Sequence, residues 1–284
     1  MNRTNRSNTS RTPPLTKDRV CKASAARCAV LVTLWFTAVV SAQLPAPAGT
    51  TESTPWLGQE QRIEEHLKNA GIASIKDIGT GVTHPRRAYL TPGEPVESVA
   101  WKVLPPGRRG GFWESYKSEI AAYELDRLLN MHMVPPAVER RIADETGAAV
   151  MWVKGVKSVK ELGGKVPSGP EWGKPLRQML MFDNLIRNID RNAGNILIGR
   201  PGDLILIDHS RAFTTDKKLQ NKVERVDAEL WERMQTLTRE NLDRALGPWL
   251  DEDAIAAIIE RRDAMAATID KLVAKNGRSL VLIP

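Results

Sequence analysis

The spacing of apolar residues changes along this chain, and each change predicts a different element. Between Leu57 and Ala70, Ile63 and Leu67 stand four apart and Gly71 follows as a stop, which predicts a helix. From Ile72 to Leu104 short β-prone runs, among them Arg87 to Leu90 and Val99 to Leu104, alternate with turn residues, the pattern of an antiparallel meander. A second helix is predicted from about Trp113 to Asn130, with Ala121, Leu125, Leu128 and Leu129 as its apolar stripe and Glu119, Tyr123 and Asp126 on the opposite side. Pro135-Pro136 ends that unit. Val138 to Ala143 and Ala148 to Val153 read as two more strands joined by Asp144 to Gly147. Beyond Gly155 a Gly- and Pro-containing loop at 163–175 gives way to helical periodicity at Leu176, Met179 and Leu180, again around 226–246, and from Asp251, a good N-cap, to Lys275.

Composition changes this picture at one end only. A hydrophobic content of 42% is that of a globular protein, which excludes disorder throughout. The net charge of +7 invites a nucleic-acid reading, but seven Lys/Arg and a single acid fall within residues 1–42, leaving 34 basic against 33 acidic residues elsewhere. The body of the chain therefore carries no polyanion-binding charge, and no nucleic-acid partner is expected. The basic start, the apolar run Ala29 to Val40 and the small residues Ser41-Ala42 have the order of a secretory signal peptide cleaved after Ala42. We expect 1–42 to be that signal, 43–55 a Pro- and Ala-rich linker, 56–155 an N-terminal lobe and 156–284 a helical C-terminal lobe. An exported product in the periplasm, the medium or a secretory lumen follows, with no stable membrane span once the signal is removed. Both cysteines, Cys21 and Cys28, precede the cleavage point, so no disulfide framework or cysteine metal site is expected.

The candidate chemistry lies in Asp190-Arg191-Asn192-Ala193-Gly194-Asn195, a polar loop between an apolar helical run and a β-prone one. Asp190 can accept a proton from an attacking hydroxyl, and Asn195, five positions on, offers a neutral oxygen to a hard cation. Leu204 to Ile207 then forms a strand ending on a second carboxylate, Asp208. In Val99 to Leu104 a lysine, Lys102, interrupts an otherwise apolar strand. Taken alone, each has a plainer reading: turn formers, a strand-end cap, a solvent-facing lysine. Together, a β-rich half with one long helix, a Gly-broken link and a helical half bearing Asp-x-x-x-x-Asn follow the order of parts in a protein-kinase-like fold. The predicted class is α+β: a bilobal fold with a small antiparallel β lobe carrying one long helix and a mainly helical large lobe.

Ser118 to Leu129, SEIAAYELDRLL, followed by Val134-Pro135-Pro136, resembles the Golgi casein kinase and four-jointed family of secretory-pathway kinases. Asp190 to Asn195 is similar to the catalytic loop shared by that family and the phosphoinositide-kinase-like enzymes. The resemblance runs from about Ile72 to Phe213. It implies Asp190 as catalytic base, Asn195 and Asp208 as metal ligands, Lys102 on the nucleotide phosphates and Glu119 from the helix as ion-pair partner or metal-side carboxylate, with Glu124 as a rival for that place. It further implies a phosphate-covering turn at Gly79-Thr80-Gly81 and adenine contacts at Met151 to Val153. Asn192 stands where His is usual, and His209-Ser210 where Phe-Gly or Asn-Gly is common.

The expected function is transfer of the γ-phosphate of ATP or another nucleotide triphosphate, with Mg²⁺ or Mn²⁺, to a hydroxyl of a protein or glycan. The alternatives are an inactive secreted pseudokinase that serves as a binding module, and a lipid or small-molecule kinase.

Overall fold

The computed structural model describes residues 54–79, 85–92 and 95–284. The signal segment at 1–42, most of the linker and Gly81 lie outside the described residues. Helix α1 (Glu60–Asn69) buries Ile63 and Leu67, as their spacing requires. Its last carbonyls, which a helix cannot satisfy itself, accept hydrogen bonds from Arg140 at Leu67 O and Ala70 O.

The meander forms as β1 (Ile72–Asp77), β2 (Arg86–Leu90) and β3 (Ser98–Lys102). The chain then makes a hairpin of β4 (Gly107–Arg109) and β5 (Phe112–Glu114). Gly110 and Gly111 hold φ of 56° and 86° at its tip, a conformation that favours glycine at both central positions. The helical pattern had placed Trp113 in the next helix. Pairing of Phe112–Glu114 with β4 delays it, and Ser115 Oγ accepts the Lys117 N–H at 3.0 Å, so α2 runs Lys117–Leu128. This helix is not amphipathic in its environment: Glu119, Tyr123 and Asp126 are buried along with Ala121, Leu125 and Leu129, whereas Leu128, expected in the apolar stripe, is exposed.

Strands β6 (Ala137–Ile142) and β7 (Glu145–Met151) complete an antiparallel sheet of order β1-β2-β3-β7-β6. Their turn is Ala143-Asp144, with Ala143 at φ 51°, shorter than the expected Asp144 to Gly147. Gly147 instead lies within β7, where a Cβ would run into the Lys102 carbonyl. Alternation along β3 sends Val99 and Trp101 into the cluster packed by α1, while Ala100 and Lys102 stand on the opposite face, where α2 lies.

The second half contains β8 (Lys157–Ser158), a 3₁₀ turn at Pro170–Trp172, α3 (Gly173–Ile186), β9 (Ile196–Ile198) and β10 (Leu204–Leu206), the three strands ordered β10-β9-β8. Then come β11 (Val226–Asp227), α4 (Ala228–Gln235), α5 (Arg239–Leu246) and α6 (Glu252–Asn276). A final turn α7 (Arg278–Val281) leads to β12 (Leu282–Ile283), parallel to β11. Asp251 caps α6, accepting the Ala254 N–H at 2.8 Å. One large apolar cluster runs from Ile120, Leu125 and Leu129 of α2 through Phe182 and Leu185 of α3 to Ile258 of α6. This shared core fixes α2 against the helices, and with it every acid that α2 carries. Among the described residues no helix is long and apolar enough to cross a membrane.

Candidate active site

Lys102 ends β3 on the face toward α2, and Glu119 lies in the first turn of that helix. They meet with Lys102 Nζ 2.7 Å from Glu119 Oε1 and 2.8 Å from Asp208 Oδ1. Burial works against the Lys102 charge, but Asp208 and Glu119 outweigh it and raise its pKa above the ordinary lysine value. For Glu119 burial alone would favour the neutral acid; the Lys102 charge and a hydrogen bond from His209 outweigh it and bring the pKa down to about 2. Glu124, the rival acid, pairs with Arg127 at 3.5 Å instead, and Glu119 is the one beside Lys102. Asp208 holds φ of 61°, a left-handed conformation uncommon outside glycine, and Ser210 Oγ donates to its Oδ1 at 3.2 Å.

The Asp190 loop is built by its own side chains. Helix α3 ends at Arg187 with φ of 54°, and Asn188 Oδ1 accepts the Asp190 N–H at 3.1 Å. Asn192 and Asn195 each donate from Nδ2 to the Asp190 carbonyl at 3.0 Å, and Asn192 Oδ1 takes the Gly194 N–H at 2.9 Å. Asn192, standing in for the usual ring, is thus a turn-maker. Because the Asn195 amide nitrogen is spent on Asp190, its Oδ1 is left as a neutral oxygen donor. Asn195 and Asp208 are neighbours through the backbone, since the Ile207 N–H donates to Asn195 O at 3.2 Å.

Arg191 holds these pieces together, as expected of a residue that braces the loop, through partners that sequence reasoning missed. Arg191 donates to Asp183 of α3 at 3.0 Å, to Asn195 O and Ile207 O at 2.8 Å each, and to His209 Nε2 at 2.9 Å. A guanidinium cannot accept a hydrogen bond, so Nε2 is the acceptor and the ring proton sits on Nδ1. Burial lowers the His209 pKa, which keeps the ring neutral. Its backbone N–H donates to Glu119 Oε2 at 3.1 Å. One chain of contacts therefore links α3, the Asp190 loop, the end of β10, α2 and β3. The available signal was Asp183 itself, an acid inside the buried run Met181 to Ile186.

Arg211 was also missed. It bridges Glu114 of β5 at 2.8 Å and Asp190 Oδ2 at 3.3 Å, with its guanidinium 4.5 Å from the Phe112 ring centre. Asp190 Oδ1 has no hydrogen-bond partner among the described residues. Gly79 turns with φ of 70° in the β1–β2 connection, where the phosphate-covering turn was expected. Met151 spends its N–H on Pro136 O at 2.8 Å, and Met151 and Val153 join an apolar cluster with Leu197 and Ile207. A base in contact with this link would therefore meet backbone and apolar side chains.

Among the described residues no three His, Cys, Asp or Glu side chains converge into a ready metal site. The donors present still fit a divalent cation of the Mg²⁺ kind, which is held by one or two protein oxygens and completed by phosphate oxygens and water. Asn195 Oδ1 and the Asp208 carboxylate are the oxygens that would be available to it.

The sheet, α2, the Lys102–Glu119–Asp208 cluster and the Asp190 loop define a kinase-like fold. The sequence profile of the phosphatidylinositol 3- and 4-kinase family matches residues 91–277, and the chain belongs to that family. Among solved structures, a hydra Fam20 determined with sugar superposes at a TM-score of 0.64 with 17% identity, covering 78% of this chain and 91% of that one. The Golgi casein kinase with Mn/ADP bound gives 0.61 and 14%, covering 79% and 78%. The Helicobacter pylori proinflammatory kinase CtkA gives 0.50 and 12%, covering 76% and 99%. No curated protein matches at the level of sequence.

Proposed function

We propose that this chain is an active, exported phosphotransferase that moves the γ-phosphate of ATP, or another nucleoside triphosphate, to a hydroxyl of a protein or glycan. The observation that carries the reading is the meeting of Lys102, Glu119 and Asp208 from three distant segments beside the braced Asp190 loop. Lys102 neutralises the phosphates, and Glu119 holds the Lys102 ammonium in place. Asn195 and Asp208 would hold Mg²⁺ or Mn²⁺, which supplies charge neutralisation at the phosphates when bound. Mn/ADP in the Golgi casein kinase supports that pairing. Arg211 fixes Asp190 Oδ2, so Oδ1 takes the acceptor's proton. The acceptor oxygen forms its bond to the γ-phosphorus as the bond to the β,γ-bridging oxygen breaks, and the nucleoside diphosphate leaves with that electron pair. Export rests on the leader-like order of residues 1–42, and the lobe division near Gly155 is part of the same reading.

The test is transfer from radiolabelled ATP to casein and to a glycan panel by the mature chain, with Asp190→Ala and Asp208→Ala beside it. Loss of transfer in both, with folding retained, is expected. Equal transfer by both variants would sink the assignment. Nucleotide with Mn²⁺ should also raise the Tm, and no rise would favour a binding module without turnover. The family match favours a second reading, transfer to a membrane lipid. Phosphatidylinositol vesicles in the same assay separate it from a soluble acceptor.

A further inference from the structure

A cavity of about 740 Å³ opens beside the Asp190 loop, bounded by the β4–β5 hairpin, the start of α2, residues 213–216 and the α5–α6 connection. Lys102, Asn195 and Asp208 do not line it, whereas Ile189, the residue before Asp190, does. Phe112 on its wall lies 4.5 Å from the Arg211 guanidinium, which itself contacts Asp190 Oδ2. The cavity thus lies one side chain away from the candidate base, apart from the phosphate-binding cluster. A molecule seated there would lie beside Asp190.

Its lining is specific in character. Phe112 and Trp113, 45% and 37% exposed, stand on the hairpin, and Trp249 comes from the α5–α6 connection. Such exposure is unusual for large aromatic rings and offers flat apolar faces to a ligand. The charges on the walls are unequally compensated. Asp216 is paired with Arg187 at 2.6 Å, and Asp251 is occupied as the α6 cap. The side chains of Lys117 and Arg108 make no ion pair among the described residues. Thr214 and Thr215 add hydroxyls. The net offer is flat rings, two cations that make no ion pair among the described residues, the capping Asp251 carboxylate and neutral hydrogen-bonding groups, within a volume suited to a compact molecule.

We propose that this cavity is the acceptor site and that it takes a carbohydrate ring bearing an anionic group, a carboxylate or a phosphate, held by Lys117 and Arg108 while its apolar face lies against the aromatic rings. The assignment rests on the phosphotransferase reading for its role, but binding is measurable without turnover. The test titrates glucuronate and glucose 6-phosphate, with glucose and a Glu-containing serine peptide as comparisons, into the mature chain lacking nucleotide. Saturation-transfer NMR and tryptophan fluorescence read the result. Both anionic sugars should bind at least tenfold more tightly than glucose or the peptide. Lys117→Ala and Arg108→Ala should each weaken them by about tenfold, the usual effect of losing a charge-assisted hydrogen bond. Trp113→Ala should weaken glucose and glucuronate alike, which a purely electrostatic site would not show. Equal binding of glucose and glucuronate, preference for the peptide, or indifference to Lys117→Ala would overturn the proposal. The Mn²⁺-nucleotide Tm shift, run on the same samples, reports separately on the phosphotransferase reading: its absence beside selective sugar binding would remove the chemistry and leave the site.

Discussion

Asp183→Ala tests the buried brace most directly. Asp183 is 1% exposed and its partner Arg191 is 8% exposed, so the variant leaves a guanidinium in the interior without its counter-ion. Asp183 also accepts from Asn188 Nδ2 at 3.3 Å, a bond lost in the same step. Removing one partner of a buried ion pair costs about 3–5 kcal/mol, because the remaining charge is desolvated and uncompensated. Against a total stability of about 5–15 kcal/mol that is a large share. For a domain of this size each kcal/mol moves the Tm by about 2–4 °C, so a fall of roughly 6–20 °C is expected. Urea denaturation and calorimetry of the mature chain measure it. Asp183→Asn keeps one acceptor oxygen and should lose less. The effect should also reach the site, since Arg191 positions the carbonyls of Asn195 and Ile207: the nucleotide-dependent Tm rise should shrink in any Asp183→Ala protein that still folds. A Tm within 3 °C of the parent would refute the reasoning, because the brace would then carry no buried charge pairing.

Two further outcomes follow from the same geometry. The Glu119 pKa is depressed to about 2, so its contribution is fully present above the unfolded value near 4.5 and is lost as pH falls toward 2; acid titration of stability should show this slope in the parent and not in Glu119→Gln. Gly147→Ala puts a methyl group against the Lys102 carbonyl, which should push β3 from β7, destabilise the chain by about 1–3 kcal/mol in urea and weaken nucleotide binding through Lys102; unchanged stability and binding would mean that the strands yield freely.

Much of the fold was legible because its signals are local. Ile63 and Leu67 at helical spacing, the short runs from Ile72 to Leu104 and the Asp251 cap each depend on neighbours within a few residues. The β4–β5 hairpin was not, since Phe112 and Trp113 of its second strand also suit a helix, and only pairing with Gly107–Arg109 decides between them. Glu119 and Glu124 illustrate the limit for the site. Both sit on α2, and helix geometry alone gives neither precedence. The contact of Lys102 with Glu119 depends on strand register, on the face that β3 turns to α2 and on the core that seats α2.

The sequence by itself determined which chemistry could be present: an Asp and an Asn at a useful spacing, a strand-ending carboxylate, an interrupting lysine and a helix with its own run of residues. Those are properties of residue type and short-range order. Tertiary structure alone decided the partners. His209 became a neutral link between Arg191 and Glu119, Asp183 became the counter-ion of Arg191, and Arg211 came to rest on Asp190. Each of these contacts joins separate elements, and electrostatic pairing in the interior follows distance and burial, which no local pattern records.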